Sequence, residues 1–166
     1  QGLSHGRNTG ISLARSSIIA FTDDDVRVAG DWIVQLKRAF DEHSDAAYVG
    51  GRVLPLWGGP RPAWLAERNG LHAKVIALLD HGDRVREFGR DISWPLGVNV
   101  AYRRDVFERV GLFDQALISS RQFVERAEHR RPVRAIHHRH QVAAAGVEAE
   151  QRLRHLRLHA QHVDHE

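Results

Sequence analysis

Residues 17–25 read Ser-Ile-Ile-Ala-Phe-Thr-Asp-Asp-Asp, an apolar run of strand length that ends in three consecutive carboxylates. The apolar residues do not alternate with polar ones, which is typical of a strand buried on both faces of a sheet. Ligands of open α/β sheets bind beyond the carboxyl ends of the strands. This stretch therefore predicts a buried strand that carries an acidic turn to a ligand-binding edge.

Helical and strand-like segments alternate on both sides of this stretch. The predicted elements are, in order, a helix over 7–16, the strand over 17–22, a helix after Asp31, a strand over 47–54 broken at Gly50-Gly51, a loop over 55–62, a helix over 64–79, a strand over 96–102 and a helix over 105–110 that stops at Gly111. Strands separated by helices indicate an α/β sheet with parallel character.

Composition excludes several classes of protein. The net charge of +3 is too small to indicate a nucleic-acid partner. No apolar run approaches the roughly 20 residues of a membrane-spanning helix. The absence of cysteine excludes disulfides, thiolate metal sites and a cysteine nucleophile, and it fits a reducing compartment. We expect a cytoplasmic location, with peripheral association with the inner face of the membrane as an expectation for the full-length protein.

Residues 1–121 and 122–166 differ in composition. The first part contains all four tryptophans, whereas the second contains eight of the twelve histidines and Phe123 as its aromatic residue. We predict a partial domain over 1–121, followed by an atypical Arg/His-rich tail that is helical or disordered and adds little core. We interpret this composition as the product of a frameshift in GC-rich coding sequence. A short amphipathic helix over 147–163 is a separate expectation. Because the chain opens with Gln1 and contains no methionine, we expect an internal fragment.

The carboxylates Asp23, Asp24 and Asp25 favour a bound cation because they repel one another. Mg2+ and Mn2+ prefer oxygen ligands, usually one or two carboxylates together with substrate phosphates. An extended backbone would turn Asp23 and Asp25 to one side and Asp24 to the other. The sequence therefore predicts Mg2+ or Mn2+ on Asp23 and Asp25. A solvated acidic turn is one alternative, and a phosphatase-like hydrolase with Asp23 as nucleophile is another.

Two blocks of sequence occur in a recognisable order. The first comprises Gly-Leu-Ser-His-Gly-Arg-Asn-Thr-Gly-Ile at 2–11 and Ile-Ile-Ala-Phe-Thr-Asp-Asp-Asp-Val at 18–26. The second, over 97–114, contains a Gly-x-Asn strand, paired arginines, a short helix and a Gly-x-Phe-Asp turn. With the aromatic residue at Trp32, these blocks resemble glycosyltransferase family 2, whose Asp-x-Asp motif follows such a helix and strand. The resemblance covers roughly residues 1–118.

The resemblance implies a partial GT-A (nucleotide-diphospho-sugar transferase) fold, a three-layer α/β sandwich that lacks its N-terminal strands here. It also implies metal-dependent, inverting transfer of a sugar from a nucleotide-diphosphate donor to the hydroxyl of a glycan or other acceptor. By the same resemblance, two sets of residues bind substrate: Arg7, Asn8, Asp23, Asp24 and Asp25 contact the nucleotide sugar, and Gly97 and Asn99 line the donor-sugar or acceptor side. For four of these residues the alternatives are structural: a surface ion pair for Arg7, a turn or helix-start role for Asn8, and packing for Gly97 and Asn99. We expect Arg103 and Arg104, the paired arginines of the second block, to be solvated charges at the start of a helix.

The expected catalytic base is missing from this sequence. In the family, a Glu-Asp or Asp-Asp pair follows the Gly-x-Phe-Asp turn and supplies the base of inverting transfer. Here Leu117 is followed by Ile-Ser-Ser-Arg-Gln, and the nearest carboxylates, Glu125 and Glu128, lie at the wrong spacing. The catalytic residue is therefore unknown. A non-catalytic α/β binding module or remnant, which keeps part of the donor cleft, is the alternative function.

Overall fold

The computed structural model describes residues 2–57, 60, 78–88, 95–114 and 134–145. Its helices are α1 (Leu3–Leu13), α2 (Trp32–Glu42) and α3 (Arg104–Val110). Its strands are β1 (Ile18–Phe21), β2 (Val26–Val28), β3 (Ala46–Leu56), β4 (Arg86–Glu87), β5 (Val100–Arg103) and β6 (Arg134–Ala145). Among the described residues, no helix is long and apolar enough to cross a membrane.

The strands form one sheet in the order β1-β5-β3-β6-β2, and β4 pairs with β6 outside this path. The predicted parallel character is confined to β3 and β6 within the described residues, and the other pairings are antiparallel. In the register of β1 with β5, Ile18 lies opposite Arg103 and Phe21 opposite Val100. The start of β1 therefore lies beside the start of α3.

Apolar side chains pack on both faces of this sheet, which gives the three-layer α/β arrangement that the sequence predicted. On one face, Ile11 of α1 packs with residues of α3 and with an aromatic group formed by Phe21, Tyr102, Phe107 and Phe113. On the other face, α2 packs through Trp32, Leu36, Ala39 and Phe40. These residues lie at helical spacing in the sequence, but Ile33, which the sequence placed on the same face, is exposed.

β1 is less buried than the sequence predicted. Ile19 is buried, but Ile18 and Phe21 are half-buried and Ala20 is exposed. Within the described residues β1 pairs with β5 along one edge, so its other edge borders a groove. The apolar run correctly predicted a strand, whereas the prediction of burial on both faces was wrong because that burial depends on neighbouring elements.

β3 is continuous, although the sequence predicted a break at Gly50-Gly51 and a loop from residue 55. Gly50 serves close packing, because a Cβ at this position would lie 2.3 Å from the Cβ of Pro95. The register with β6 shifts between Gly51 and Arg52 without ending the strand. Most of the predicted helix over 64–79 lies outside the described residues.

The tail also differs from the prediction. Arg134–Ala145 is a strand between β3 and β2 rather than helical or disordered, and its residues 135–138 are buried. Parallel pairing along β3 satisfies its backbone polar groups and outweighs its polar composition. The tail therefore contributes to the core. The domain boundary at residue 121 lies outside the described residues and stays a prediction, as does the helix over 147–163.

Candidate functional site

A groove of about 460 Å3 lies between α1 and β1. Its lining residues are Leu3, Gly6, Arg7, Gly10, Ala14, Ile18, Ile19, Ala20, Phe21, Thr22, Asp23 and Gly97. Gly6, Gly10 and Ala14 are spaced four residues apart, so they lie on one side of α1 and of its C-terminal end. Because none of them carries a large side chain, space remains beside β1. The charged groups of this otherwise largely apolar groove are Arg7 and Asp23.

Arg7 is held in place by an aromatic ring and by partial burial. Its guanidinium carbon lies 5.4 Å from the centre of the Phe113 ring. Burial lowers the pKa of Arg7, while its electrostatic interactions with Tyr102 and Asp23 raise it. An arginine pKa begins so high that the guanidinium stays charged. Arg7 is therefore an oriented cation beside Asp23, and its planar fork suits phosphate oxygens.

The acidic stretch forms a turn between β1 and β2. Asp24 and Asp25 occupy this turn, so the extended backbone that the sequence suggested is wrong. Asp23 and Asp24 are exposed, Asp25 is half-buried, and Asp23 lines the groove. Because the backbone turns here, the side chains do not alternate between two sides, and Asp24 is not set apart from Asp23 and Asp25 in this way.

Within the described ranges, no three or more acidic or histidine side chains come together in a group that could hold a metal. The turn nevertheless offers hard carboxylate oxygens that are open to solvent. Mg2+ is commonly bound by one or two carboxylates together with substrate phosphates. The donor set fits a cation that arrives with a phosphate ligand, rather than one enclosed by protein alone.

Asn8 is engaged with the protein backbone. Its Nδ2 donates to the carbonyl oxygen of Phe113 at 2.8 Å, and its Oδ1 accepts from the N–H of Phe113 at 3.0 Å. These bonds give Asn8 a structural role, as one alternative from the sequence suggested. The role is not to start the helix, however, but to join α1 to the segment after α3. Contact between Asn8 and a nucleotide stays a prediction.

Asn99 and Gly97 occupy different environments. Gly97 lines the groove, whereas Asn99 is fully buried. The Oδ1 of Asn99 accepts from Nε1 of Trp32 at 3.0 Å, and its Nδ2 donates to the carbonyl of Arg52 at 2.8 Å. The structure thus brings Arg7, Asp23 and Gly97 together at one groove, while Asn99 joins α2 to β3.

Arg103 and Arg104 are not the solvated charges that the sequence predicted. Both are half-buried and donate to backbone carbonyls. Arg103 donates to Ala46 at 2.9 Å and to Phe40 at 3.0 Å, at the C-terminal end of α2 and the start of β3. Arg104 donates to carbonyls at the corresponding end of α1. Both arginines directly follow a buried strand in the sequence, and this position was the available indication that they are not solvated.

The sequence model of the family described as "Glycosyl transferase family 2" matches residues 1–111. A glucosyl-dolichyl phosphate glucuronosyltransferase of Haloferax volcanii is 30% identical over 114 residues. That match covers 69% of this chain and 35% of the relative, so it spans about a third of the relative's length.

Proposed function

Because the chain belongs to glycosyltransferase family 2, we propose that it contributes the donor-binding part of an enzyme that transfers a sugar from a nucleotide diphosphate to an acceptor hydroxyl. Its three-layer arrangement is that of a partial GT-A fold. The observation that carries the proposal is that Arg7 and Asp23 line one groove along β1 and interact electrostatically.

This pairing suits a diphosphate. The guanidinium of Arg7 offers forked donors to phosphate oxygens, and the Phe113 ring restricts where it can point. Asp23 and Asp25 are the residues that would hold Mg2+ or Mn2+. When bound, the cation supplies positive charge that neutralises the diphosphate and stabilises the departing nucleotide. In this proposal Asp24 and Asn8 contribute further contacts to the nucleotide sugar, and Gly97 lies on the sugar side.

Family membership supports a proposal for the stereochemistry, and the relative's name supports one for the acceptor. We propose inverting transfer, which requires a base aimed at the acceptor hydroxyl. The relative is named for glucuronosyl transfer to glucosyl-dolichyl phosphate. A lipid-linked sugar phosphate is therefore a candidate acceptor beside glycans. We place the reaction in the cytoplasm, at the inner face of the membrane for a lipid-linked acceptor.

A second candidate is a donor-binding module without turnover. It is favoured by the sequence after Asp114, which lacks the acidic pair that would supply the base. The phosphatase-like alternative has less support. Lys37 is exposed on α2 and pairs with Asp41 at 2.5 Å, so it is engaged away from the acidic turn.

The test is release of nucleoside diphosphate from a panel of nucleotide sugars by the full chain, with Mn2+ and either a glycan or a lipid-linked sugar phosphate. We expect metal-dependent release that Asp23→Asn abolishes. Asp41→Asn is the matched control, because it removes an exposed carboxylate on α2, and it should leave release unchanged. Saturable donor binding without release would favour the binding module. Turnover of a phosphomonoester instead would contradict the proposal.

A further inference from the structure

α1 carries Arg7 but is weakly fixed by packing. Along its length, all of which the structure describes, Ile11 is the buried side chain. Two interior glycines, Gly6 and Gly10, lower its intrinsic stability, and its N-cap Gly2 makes no side-chain capping bond. Short helices depend on tertiary contacts for most of their stability. Polar contacts therefore help to fix α1: Asn8 bonds to the backbone of Phe113 near the middle of the helix, and a second set of bonds lies at its C-terminal end.

The guanidinium of Arg104 supplies such contacts at the C-terminal end of α1. Its Nε donates to Ser16 O at 2.9 Å, Nη1 donates to Ile11 O at 3.4 Å, and Nη2 donates to Ala14 O. The backbone N–H of Arg104 also donates to Ser17 O at 2.9 Å. The last carbonyls of a helix lack intrahelical partners, so this side chain satisfies groups that would otherwise need water.

We propose that Arg104 is a positioning residue for the donor site. By holding the end of α1 against the start of β1, it sets Arg7 opposite Asp23. The role of Arg7 in this proposal rests on the proposed function. The contact of Arg104 with the α1–β1 connection is independent of it, because it involves backbone carbonyls at residues 11–16 and no ligand.

Arg103 offers a matched control. It is the neighbouring residue, of the same type and also half-buried, and it donates two bonds to backbone carbonyls. Its partners, however, are Phe40 and Ala46, at the end of α2 and the start of β3. A lysine at either position keeps the charge but loses the planar fork. The two variants therefore remove side-chain bonds to the backbone from different helices, and Arg103→Lys also alters the stacking of Arg103 over the Phe40 ring, 4.9 Å from its centre.

The first experiment needs no ligand. Arg7 lies over the Phe113 ring, so its side-chain proton resonances carry a ring-current shift in the full chain. We expect Arg104→Lys to move these resonances toward those of free arginine and to speed amide exchange in α1 at least tenfold. Arg103→Lys should leave both unchanged and speed exchange in α2. Arg104→Gln, which keeps one NH2 donor, serves if the lysine variant does not fold. An unmoved Arg7 signal, or an equal effect of both lysine variants, would overturn the proposal.

The second experiment measures binding of uridine and guanosine diphosphate with Mn2+. Arg104→Lys should weaken binding about tenfold, and Arg103→Lys should leave it unchanged. Because Arg104 acts through Arg7, the double variant Arg7→Ala/Arg104→Lys should bind no more weakly than Arg7→Ala alone. Additive losses would contradict positioning through Arg7. If the wild-type chain binds neither nucleotide, the proposed function fails, and the Arg7 resonances still decide whether Arg104 positions α1.

Discussion

Asn8 and Phe113 are 105 residues apart and share two hydrogen bonds: the side-chain amide of Asn8 donates to the carbonyl of Phe113 and accepts from its backbone N–H. The ring of the same Phe113 lies beneath the guanidinium of Arg7. Phe113, in the segment after α3, therefore anchors α1 through its backbone and orients the guanidinium of Arg7 through its ring. The two blocks of sequence that resemble the family meet at this point.

Replacing Asn8 with aspartate should destabilise the chain. A carboxylate can accept from the N–H of Phe113 but cannot donate to its carbonyl, which loses its partner. We expect the free energy of unfolding to fall by about 1–3 kcal/mol in urea titrations. Thr9→Ala is the control, since its exposed hydroxyl bonds within α1, and its effect should stay within roughly 0.5 kcal/mol. Equal stability of Asn8→Asp and the wild type would contradict this account of Asn8.

Asn99→Ala should destabilise the chain without involving the groove. The substitution leaves Nε1 of Trp32 and the carbonyl of Arg52 without their partner at a fully buried position. We expect a loss of about 2–4 kcal/mol in the free energy of unfolding. Trp32→Phe removes one of the same bonds, so the double variant should lose less than the sum of the two single losses. Strict additivity would mean that the two side chains do not interact.

Two glycines should respond to alanine in opposite directions. At Gly50 the added Cβ would lie 2.3 Å from Cβ of Pro95, so β3 or the segment at Pro95 must move. At Gly10, in α1, an added Cβ would meet nothing within 4 Å. In thermal unfolding we expect Gly50→Ala to destabilise by about 1–3 kcal/mol. Gly10→Ala should stabilise by roughly 0.5–1 kcal/mol through helix propensity. A neutral Gly50→Ala would refute the close approach.

The parts predicted well from the sequence are those that local patterns specify. The stripe of α2 and the apolar run of β1 both lie within one element, so their spacing carries the information. The position of β6 could not be predicted, because it depends on pairing with β3, some 90 residues earlier in the chain. The bonds of Asn8, Asn99 and Arg104 were missed for the same reason. Each joins a side chain to a backbone group or side chain far away in sequence.

Acid should destabilise the chain through His137. Its ring is fully buried beside Phe88 and His81. Burial, assisted by His81, Arg52 and His138, lowers the pKa of His137 to about 4, although the backbone of Gly82 opposes the shift. The unfolded chain therefore binds this proton more readily than the folded chain.

The stabilisation linked to neutral His137 is fully present above about pH 6.5 and is lost as the pH falls toward 4. Urea titrations between pH 7 and 4 should reveal a loss of roughly 1–3 kcal/mol from this group. His137→Leu, which cannot titrate, should lose correspondingly less over the same interval. His5→Gln, at an exposed position of α1, should follow the wild type. A pH dependence that is the same in His137→Leu and the wild type would refute the assignment.

The most direct test of a donor site at Asp23 is calorimetry of Mn2+ binding to the folded chain, with and without a nucleoside diphosphate. The exposed turn offers few ligands of its own, so we predict weak binding of Mn2+ alone and at least tenfold tighter binding with the diphosphate. Asp23→Asn and Asp25→Asn, at the two positions of the Asp-x-Asp motif, should each abolish this coupling while the fold remains. A folded wild-type chain without coupling, or coupling that survives in both Asp23→Asn and Asp25→Asn, would contradict the account.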